Sequence, residues 1–358
     1  MKQFDDIYRK KRVLVTGHTG FKGSWLTLWL LELGALVSGI SLKPKENPNH
    51  WNLLDLNISD HFVDIRDLSL VKKVFEIQEP EIVFHLAAQP LVRQSYKDPI
   101  ETLSTNVMGT ANVLEACRTT ESVQVVIIIT TDKCYKNREW AWGYRENDAL
   151  GGHDCYSASK ACAELVTSSY SDAFFNFKES PLVATARTGN VIGGGDWSED
   201  RLIPDLVRSL NNNISLEIRS PQATRPWQHV LDPLSGYLLL GQKLLMRDNS
   251  FTGPWNFGPA IEGNRTVTEI LNKLNTYWEE LRWHEIDKAQ PHEANLLYLD
   301  SSQARSKLKW QPVWNHETVL QKTAEWYSAW MKNKNVVSHF QLSEYLINAL
   351  ELKHEWIK

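Results

Sequence analysis

Arg12-Val13-Leu14-Val15-Thr16-Gly17-His18-Thr19-Gly20-Phe21-Lys22-Gly23-Ser24 is the stretch from which the architecture of this chain is read. Arg12 to Thr16 has the short, β-branched, apolar composition of a buried strand; Gly17 to Gly23 reads as a turn and Ser24 to Leu33 as a helix stopped by Gly34. A strand that hands over to a helix through glycines leaves backbone N–H groups bare at the helix start, where the helix dipole also favours a pyrophosphate. Side chains would block that approach. The spacing is G-x-x-G-x-x-G, not the G-x-G-x-x-G of ordinary Rossmann dehydrogenases. Lys22-Gly23-Ser24 reverses the Gly-Lys-Ser order of a P-loop, so that motif is excluded.

Outward from this segment, strand and helix patterns alternate. Strands are expected at Val37 to Leu42, Phe62 to Asp64, Ile82 to Leu86, Val123 to Thr130 and Leu182 to Arg187, and helices at Leu68 to Ile77, Thr105 to Thr119 and Ser157 to Tyr170. That alternation predicts an α/β fold: a doubly wound, Rossmann-type parallel sheet covered by helices on both faces. After Arg187 the pattern is broken by Gly193-Gly194-Gly195, Asn211-Asn212-Asn213 and prolines at 204, 221, 226, 233, 254 and 259. A smaller, mixed C-terminal lobe is expected there. Leu234 to Met246 and Trp255 to Phe257 still look like helix and strand, so the division is 1–187 against 188–358, interleaved, with segments near 228–258 returning to the first sheet.

A chain of 358 residues exceeds one ordinary core, and 42% hydrophobic with 23% charged residues is ordinary globular composition. A net charge of −4 gives no global reason to expect nucleic acid, although a local basic pocket for a phosphorylated ligand is compatible with it. Cys117, Cys134, Cys155 and Cys162 form no Cys-x-x-Cys pair and are too sparse to staple the chain. With no helical His-x-x-x-His spacing either, no metal is expected. The apolar run Trp25 to Leu31 is far short of the roughly 20 residues that span a bilayer. Met1 to Asp6 lacks a basic-then-apolar export pattern, so export is not expected and a cytoplasmic protein with free thiols is.

Tyr156 and Lys160 stand four residues apart at the start of an expected helix, so a phenol and an ammonium share one face. A phenol whose pKa is lowered by a neighbouring ammonium and by the positive ring of a nicotinamide can take a hydroxyl proton while hydride leaves the same carbon. The preceding strand ends in Thr130-Thr131-Asp132-Lys133, at the carboxyl end where ligands of parallel sheets bind.

These motifs, with Gly17 to Leu26, Gly193-Gly194-Gly195-Asp196-Trp197 and Arg225-Pro226-Trp227-Gln228-His229-Val230, resemble the extended short-chain dehydrogenase/reductase superfamily over essentially the whole chain. Within it they resemble the nucleotide-sugar 4,6-dehydratases, which carry Thr-Asp-Glu where this chain has Thr131-Asp132-Lys133; lysine at the third place resembles the CDP-glucose branch. The resemblance implies NAD as cofactor, held at Gly17, Thr19, Gly20, Phe21 and Gly23, with Asp64 and Ile65 near the adenine and Leu86, Ala87 and Ala88 under the dinucleotide. It implies a lyase for deoxysugar (O-antigen, lipopolysaccharide) biosynthesis. The resemblance implies that Tyr156 and Lys160 serve C4 oxidation, that Thr131 bonds the C4 oxygen, that Lys133 in its neutral form takes the C5 proton, and that Asp132 in its protonated form gives a proton to the leaving C6 hydroxyl. Asn190, Arg201 and Arg225 are implied to contact the diphosphate and His292 the substrate. A homodimer or homotetramer built on helices around 94–119 and 155–175 is implied as well.

Two departures stand out. Ser41-Leu42-Lys43 replaces the acidic residue that usually binds the ribose of NAD, which implies looser retention and leaves an NADP reading open through Lys43 or Lys45. Cys155 replaces a more usual proline before the tyrosine. The rival readings are a dTDP-, GDP- or UDP-hexose dehydratase, an epimerase with no need of the 132–133 pair, and a dinucleotide-sensing binding protein with no need of any catalytic group.

Overall fold

The computed structural model describes residues 1–358 apart from Glu46, 261–262 and 287–295. Seven strands form one sheet: β1 Arg12–Thr16, β2 Leu36–Ser41, β3 Ser59–Phe62, β4 Ile82–His85, β5 Val125–Ile129, β6 Leu182–Thr188 and β7 Gly253–Phe257, in the order β7-β6-β5-β4-β1-β2-β3. Every pairing is parallel. The order reverses between β1 and β4, and such a switch point opens a crevice at the carboxyl ends of the strands.

The pleat sorts side chains between two cores. Val13 and Val15 of β1, with Val125, Ile127 and Ile129 of β5, face a core shared with α1 Phe21–Glu32 and a helix at Leu231–Leu245. Leu14, Val83, Val126 and Ile128 point the other way, onto α2 Leu68–Gln78 and α3 Gly109–Thr119. Burial on both faces explains why β5 is the unbroken run Val-Val-Ile-Ile-Ile. The sheet's neighbours are completed by α4 Cys155–Phe174, and the helix Leu231–Leu245 is here α5.

Three expectations change. The third strand is Ser59–Phe62, not Phe62 to Asp64, because Ser38 to Ser41 of β2 pair with Ser59 to Phe62; this polar edge strand carries no hydrophobic signal to be read. The helix expected over 105–119 begins as a π turn, Ser104–Met108, before α3. Upstream, the helices Val92–Lys97 and Pro99–Leu103 break at Asp98, whose carboxylate accepts from Glu101 N at 2.8 Å.

Beyond β6 the chain forms short two-stranded pairs of both directions: Val191–Ile192 with Gln228–His229, Leu216–Ile218 with Trp283–Glu285, and Thr224–Pro226 with Asn264–Thr266. At Gly253 it rejoins the sheet beside β6. Two final helices, α6 His316–Asn333 and α7 Ser338–Glu351, pack into the same core as α1 and α5. The two ends of the chain meet, Lys2 N to Lys358 O and the reverse both at 2.8 Å, with Phe4 stacked on Trp356 at 5.0 Å.

Candidate active site

The carboxyl ends of β4, β5 and β6 and the start of α1 open into a cavity of about 340 Å³ roofed by the short strand pairs. Phe21, Leu86, Ala88, Thr131, Asp132, Lys133, Tyr156, Lys160, Asn190, Arg201 and Arg225, all singled out from sequence, line it together.

Local structure fixes each group. Asp154 caps α4 by accepting from Ser157 N at 2.9 Å and from the Ser157 hydroxyl at 2.7 Å, which sets Tyr156 in the first turn and Lys160 one turn on. Lys160 Nζ donates to the carbonyl of Ile129, the last residue of β5, at 3.2 Å. Burial lowers its pKa to about 8, with the Glu164 carboxylate opposing. For Tyr156 the expectation is a phenol lowered by Lys160 together with a positive nicotinamide ring, and the protein's own groups do not lower it by themselves. Burial pushes the phenol up to about 12, and the opposing influences are Thr131 and Arg201. Desolvation of a phenolate outweighs what the surrounding protein groups return.

Asp132 is the buried acid of the site. Thr131 Oγ1 donates to its Oδ1 at 2.9 Å, while Oδ2 has no hydrogen-bond partner among the described residues. Burial raises its pKa, against the lowering influence of Lys133 and Thr131. Gly189 leaves the room for this carboxyl: a Cβ there would stand 2.4 Å from Pro226 and 3.0 Å from Asp132 Oδ2. Elsewhere in the cavity lining Arg201 pairs with Asp196 at 2.9 Å, and buried Arg225 donates from Nη1 to Thr224 O at 2.9 Å.

The glycine loop fits a dinucleotide on its own geometry. Gly17 has φ +75°, and a Cβ there would lie 2.7 Å from Ala87 N; a Cβ at Gly23 would lie 2.0 Å from Gly17 O. Gly20 caps α1 without a side-chain acceptor, so the first-turn amides are left to a ligand. Thr19 Oγ1 meets Ser41 Oγ at 2.6 Å and Leu42 O at 3.1 Å, tying the loop to the end of β2.

Other residues stand apart from the cavity. Asp64 is gripped by Arg66, Nη2 to Oδ2 at 2.6 Å, and Ile65 is packed beneath Gly109, where a Cβ would come within 2.5 Å of its Cδ1. His292 lies outside the described residues. Lys22 was missed as a site residue although it stands inside the quoted glycine loop. Its ammonium reaches the cavity 5.9 Å from the centre of the Tyr237 ring. Burial there, then Lys160 and Arg201, lower its pKa to about 7, with Asp132 opposing. The sequence signal was the cation itself, in a turn whose backbone alone suffices for phosphate. Asp196 belonged to a quoted motif, but its pairing with Arg201 depends on a fold of the loop that no spacing announces.

Among the described residues no group of three His, Cys, Asp or Glu is placed to hold a metal ion, and no helix is long and apolar enough to cross a membrane.

Residues 14–323 match the GDP-mannose 4,6 dehydratase family. The chain is 47% identical over 350 residues to a CDP-glucose 4,6-dehydratase of Salmonella typhimurium, covering 95% of this chain and 98% of that protein. It is 27% identical to a dTDP-D-glucose 4,6-dehydratase of Mus musculus, with 88% of each covered. Among solved structures, the epimerase Mth375 of Methanothermobacter thermautotrophicus superposes with a TM-score of 0.81 at 24% identity, over 91% of this chain and 95% of that one. UDP-glucuronic acid 4-epimerase of Bacillus cereus, solved with UDP-glucuronic acid and NAD, gives 0.77 at 23% identity over 88% and 98%. At these identities the two structures speak for the fold alone.

Proposed function

The chain belongs to the GDP-mannose 4,6 dehydratase family, and on that premise we propose that it converts CDP-glucose to CDP-4-keto-6-deoxyglucose and water with NAD as resident cofactor. The observation that carries the reading is Asp132: a buried carboxyl of raised pKa, its Oδ2 unpartnered, at the sheet end beside Lys133 and Tyr156. Oxidation or epimerisation alone has no use for an acid there. The 47% identity to a CDP-glucose 4,6-dehydratase supports the choice of nucleotide.

The loop Gly17 to Gly23 would hold the cofactor's pyrophosphate on the first-turn amides of α1. When bound, NAD supplies the uptake of a hydride from C4 and its return at C6. Tyr156, as the phenolate that Lys160 and the positive ring of bound NAD would favour, receives the C4 hydroxyl proton. With C4 a ketone, the C5 proton is acidic. Lys133 removes it, the C6–O bond breaks, and Asp132 gives its proton to the departing oxygen as water. A proton then goes back to C5, leaving the 4-keto-6-deoxy sugar. Asn190, Arg201 and Arg225 serve the substrate diphosphate. Residues 188–358, less the return through α5 and β7, form the nucleotide-sugar lobe. Exposed Ile100, Leu103, Met108 and Leu165 support assembly through the helices around 94–119 and 155–175. Four free cysteines suit the reducing cytoplasm.

The test is incubation with NAD⁺ and each of CDP-, dTDP-, UDP- and GDP-glucose, followed by NMR of the product. A 4-keto-6-deoxy sugar from CDP-glucose is expected. Retention of the C6 hydroxyl would make the protein an epimerase or oxidase, and faster turnover of another nucleotide would reassign the substrate.

A further inference from the structure

Behind the cavity wall lies a buried polar assembly that the reaction steps above do not use. Glu164 is one helical turn beyond Lys160 on α4, on the same face, and is 4% exposed. Thr130, the residue before Thr131-Asp132-Lys133, donates its hydroxyl to Glu164 Oε1. Thr185 of β6 donates to Oε2 at 2.7 Å, and Arg187 of β6 donates from Nη2 to the same oxygen at 2.9 Å. Arg187, 3% exposed, also donates from Nη1 to the Tyr135 hydroxyl at 2.7 Å and to Glu146 O at 2.9 Å. One carboxylate thus ties the residue after β5 and two residues of β6 to α4, beside the turn and the helix that carry the reacting side chains.

We propose that Glu164 is the positioning residue of the Tyr156–Lys160 pair: it locks the end of β5 to α4 and supplies the negative charge that faces Lys160. The inference rests on the dehydratase reading and adds to it a residue that touches neither substrate nor cofactor. A buried ion pair is weak evidence for stability, because desolvation offsets much of its attraction. Three further facts favour function. Both carboxylate oxygens accept hydrogen bonds, two of the three donors lie on β6, whose end enters the cavity, and Lys160 itself donates to Ile129 O, the residue next to Thr130. Glu164 therefore ties Thr130, next to the carbonyl that Lys160 bonds, to the helix that carries Lys160. The groups facing it are Lys160 from its own helix, Arg187 from β6, and Cys134 and Tyr135 from the segment after β5; Glu146 meets Arg187 through its carbonyl.

The sign of the effect follows from the charges. Burial depresses the Lys160 pKa and Glu164 is the first influence opposing it. Glu164→Gln removes the opposition, so Lys160 loses its proton at lower pH. The alkaline limb of kcat/KM should move down by about one pH unit, leaving the variant about tenfold slower than the parent near pH 9 and close to it near pH 6. Because Gln strands the Arg187 cation, the second variant is Glu164→Gln with Arg187→Met, which removes both charges and keeps the volume. A structural role alone would lower activity equally at all pH values.

Independently of turnover, an amine-reactive reagent, which attacks only the neutral amine, should label Lys160 with a midpoint about one unit lower in either variant. If the doubly substituted protein is folded and both its labelling midpoint and its alkaline limb match the parent's, Glu164 has no such role. If the parent makes no 4-keto product while the labelling midpoint shifts, the dehydratase reading fails and the Glu164–Lys160 coupling stands.

Discussion

Asp132 and Lys133 are neighbours in sequence with opposite tasks in the proposed mechanism, and their variants should fail in opposite ways. Asp132→Asn keeps an oxygen for Thr131 to donate to but has no proton to give the departing hydroxyl. Water loss should fall at least about 10²-fold, while solvent deuterium still enters C5. Lys133→Met should abolish that exchange and leave C4 oxidation, seen as absorbance of reduced nicotinamide. Both are read by NMR and absorbance on one reaction mixture, and wild-type dehydration by either variant sinks its assignment. Tyr156→Phe should abolish oxidation as well, by at least about 10²-fold. Lys22 gives a fourth test. With a pKa of about 7 it is mostly neutral near pH 8 in the free protein. A diphosphate seated beside it favours the ammonium, so binding of CDP-glucose should take up a proton there. Calorimetry in buffers of different ionisation enthalpy measures the uptake, which Lys22→Met should remove; equal uptake by both proteins would take Lys22 away from the phosphates.

At the scale of an element, the cofactor cradle proposed at α1 requires that its first turn nearly touch the end of β1. A Cβ at Gly23 would stand 2.0 Å from Gly17 O and 2.8 Å from His18 Cα, both backbone atoms, so α1 itself would have to withdraw. Gly23→Ala should therefore weaken NAD binding at least about tenfold and cost about 1–3 kcal/mol of stability, as overpacking does. Gly253, at the start of β7, is the contrast. Its φ is +84° and nothing lies within 4 Å of a Cβ there. Gly253→Ala should cost only the left-handed backbone, about 1–2 kcal/mol, with cofactor affinity unchanged. Titration of NAD against both variants separates steric from conformational need. Equal affinities would mean that the close approach at Gly23 is not what holds the cofactor loop.

For the molecule as a whole, Asp232 joins α5 to the C-terminal segment, before α6 and in α7. Its Oδ1 accepts from Val313 N at 2.8 Å and from the Tyr345 hydroxyl of α7 at 2.9 Å, and its Oδ2 has no partner among the described residues. Burial raises its pKa to about 7, against about 3.9 in the unfolded chain. The folded state holds this proton more tightly, so the stability it contributes is full below about pH 4 and is lost as pH rises through 7. Asp232→Asn should remove that loss, raising the melting temperature by several degrees near pH 8 relative to pH 5; a pH-independent difference would show that Asp232 is not the titrating group. None of this is legible in Leu231-Asp232-Pro233. The chain alone determined the strand, glycine turn and helix at residues 12–33, the buried central strand, and the facing Tyr156 and Lys160. Those follow from periodicity and short spacing, which each segment carries within itself. Tertiary structure decided the polar edge strand at Ser59–Phe62, the gripping of Asp64 by Arg66, the break at Asp98, and the carboxylate of Glu164 behind Lys160. It also set the protonation of Lys22, Asp132, Lys160 and Asp232, because desolvation and distant charges act on a group only after folding has placed it among its neighbours.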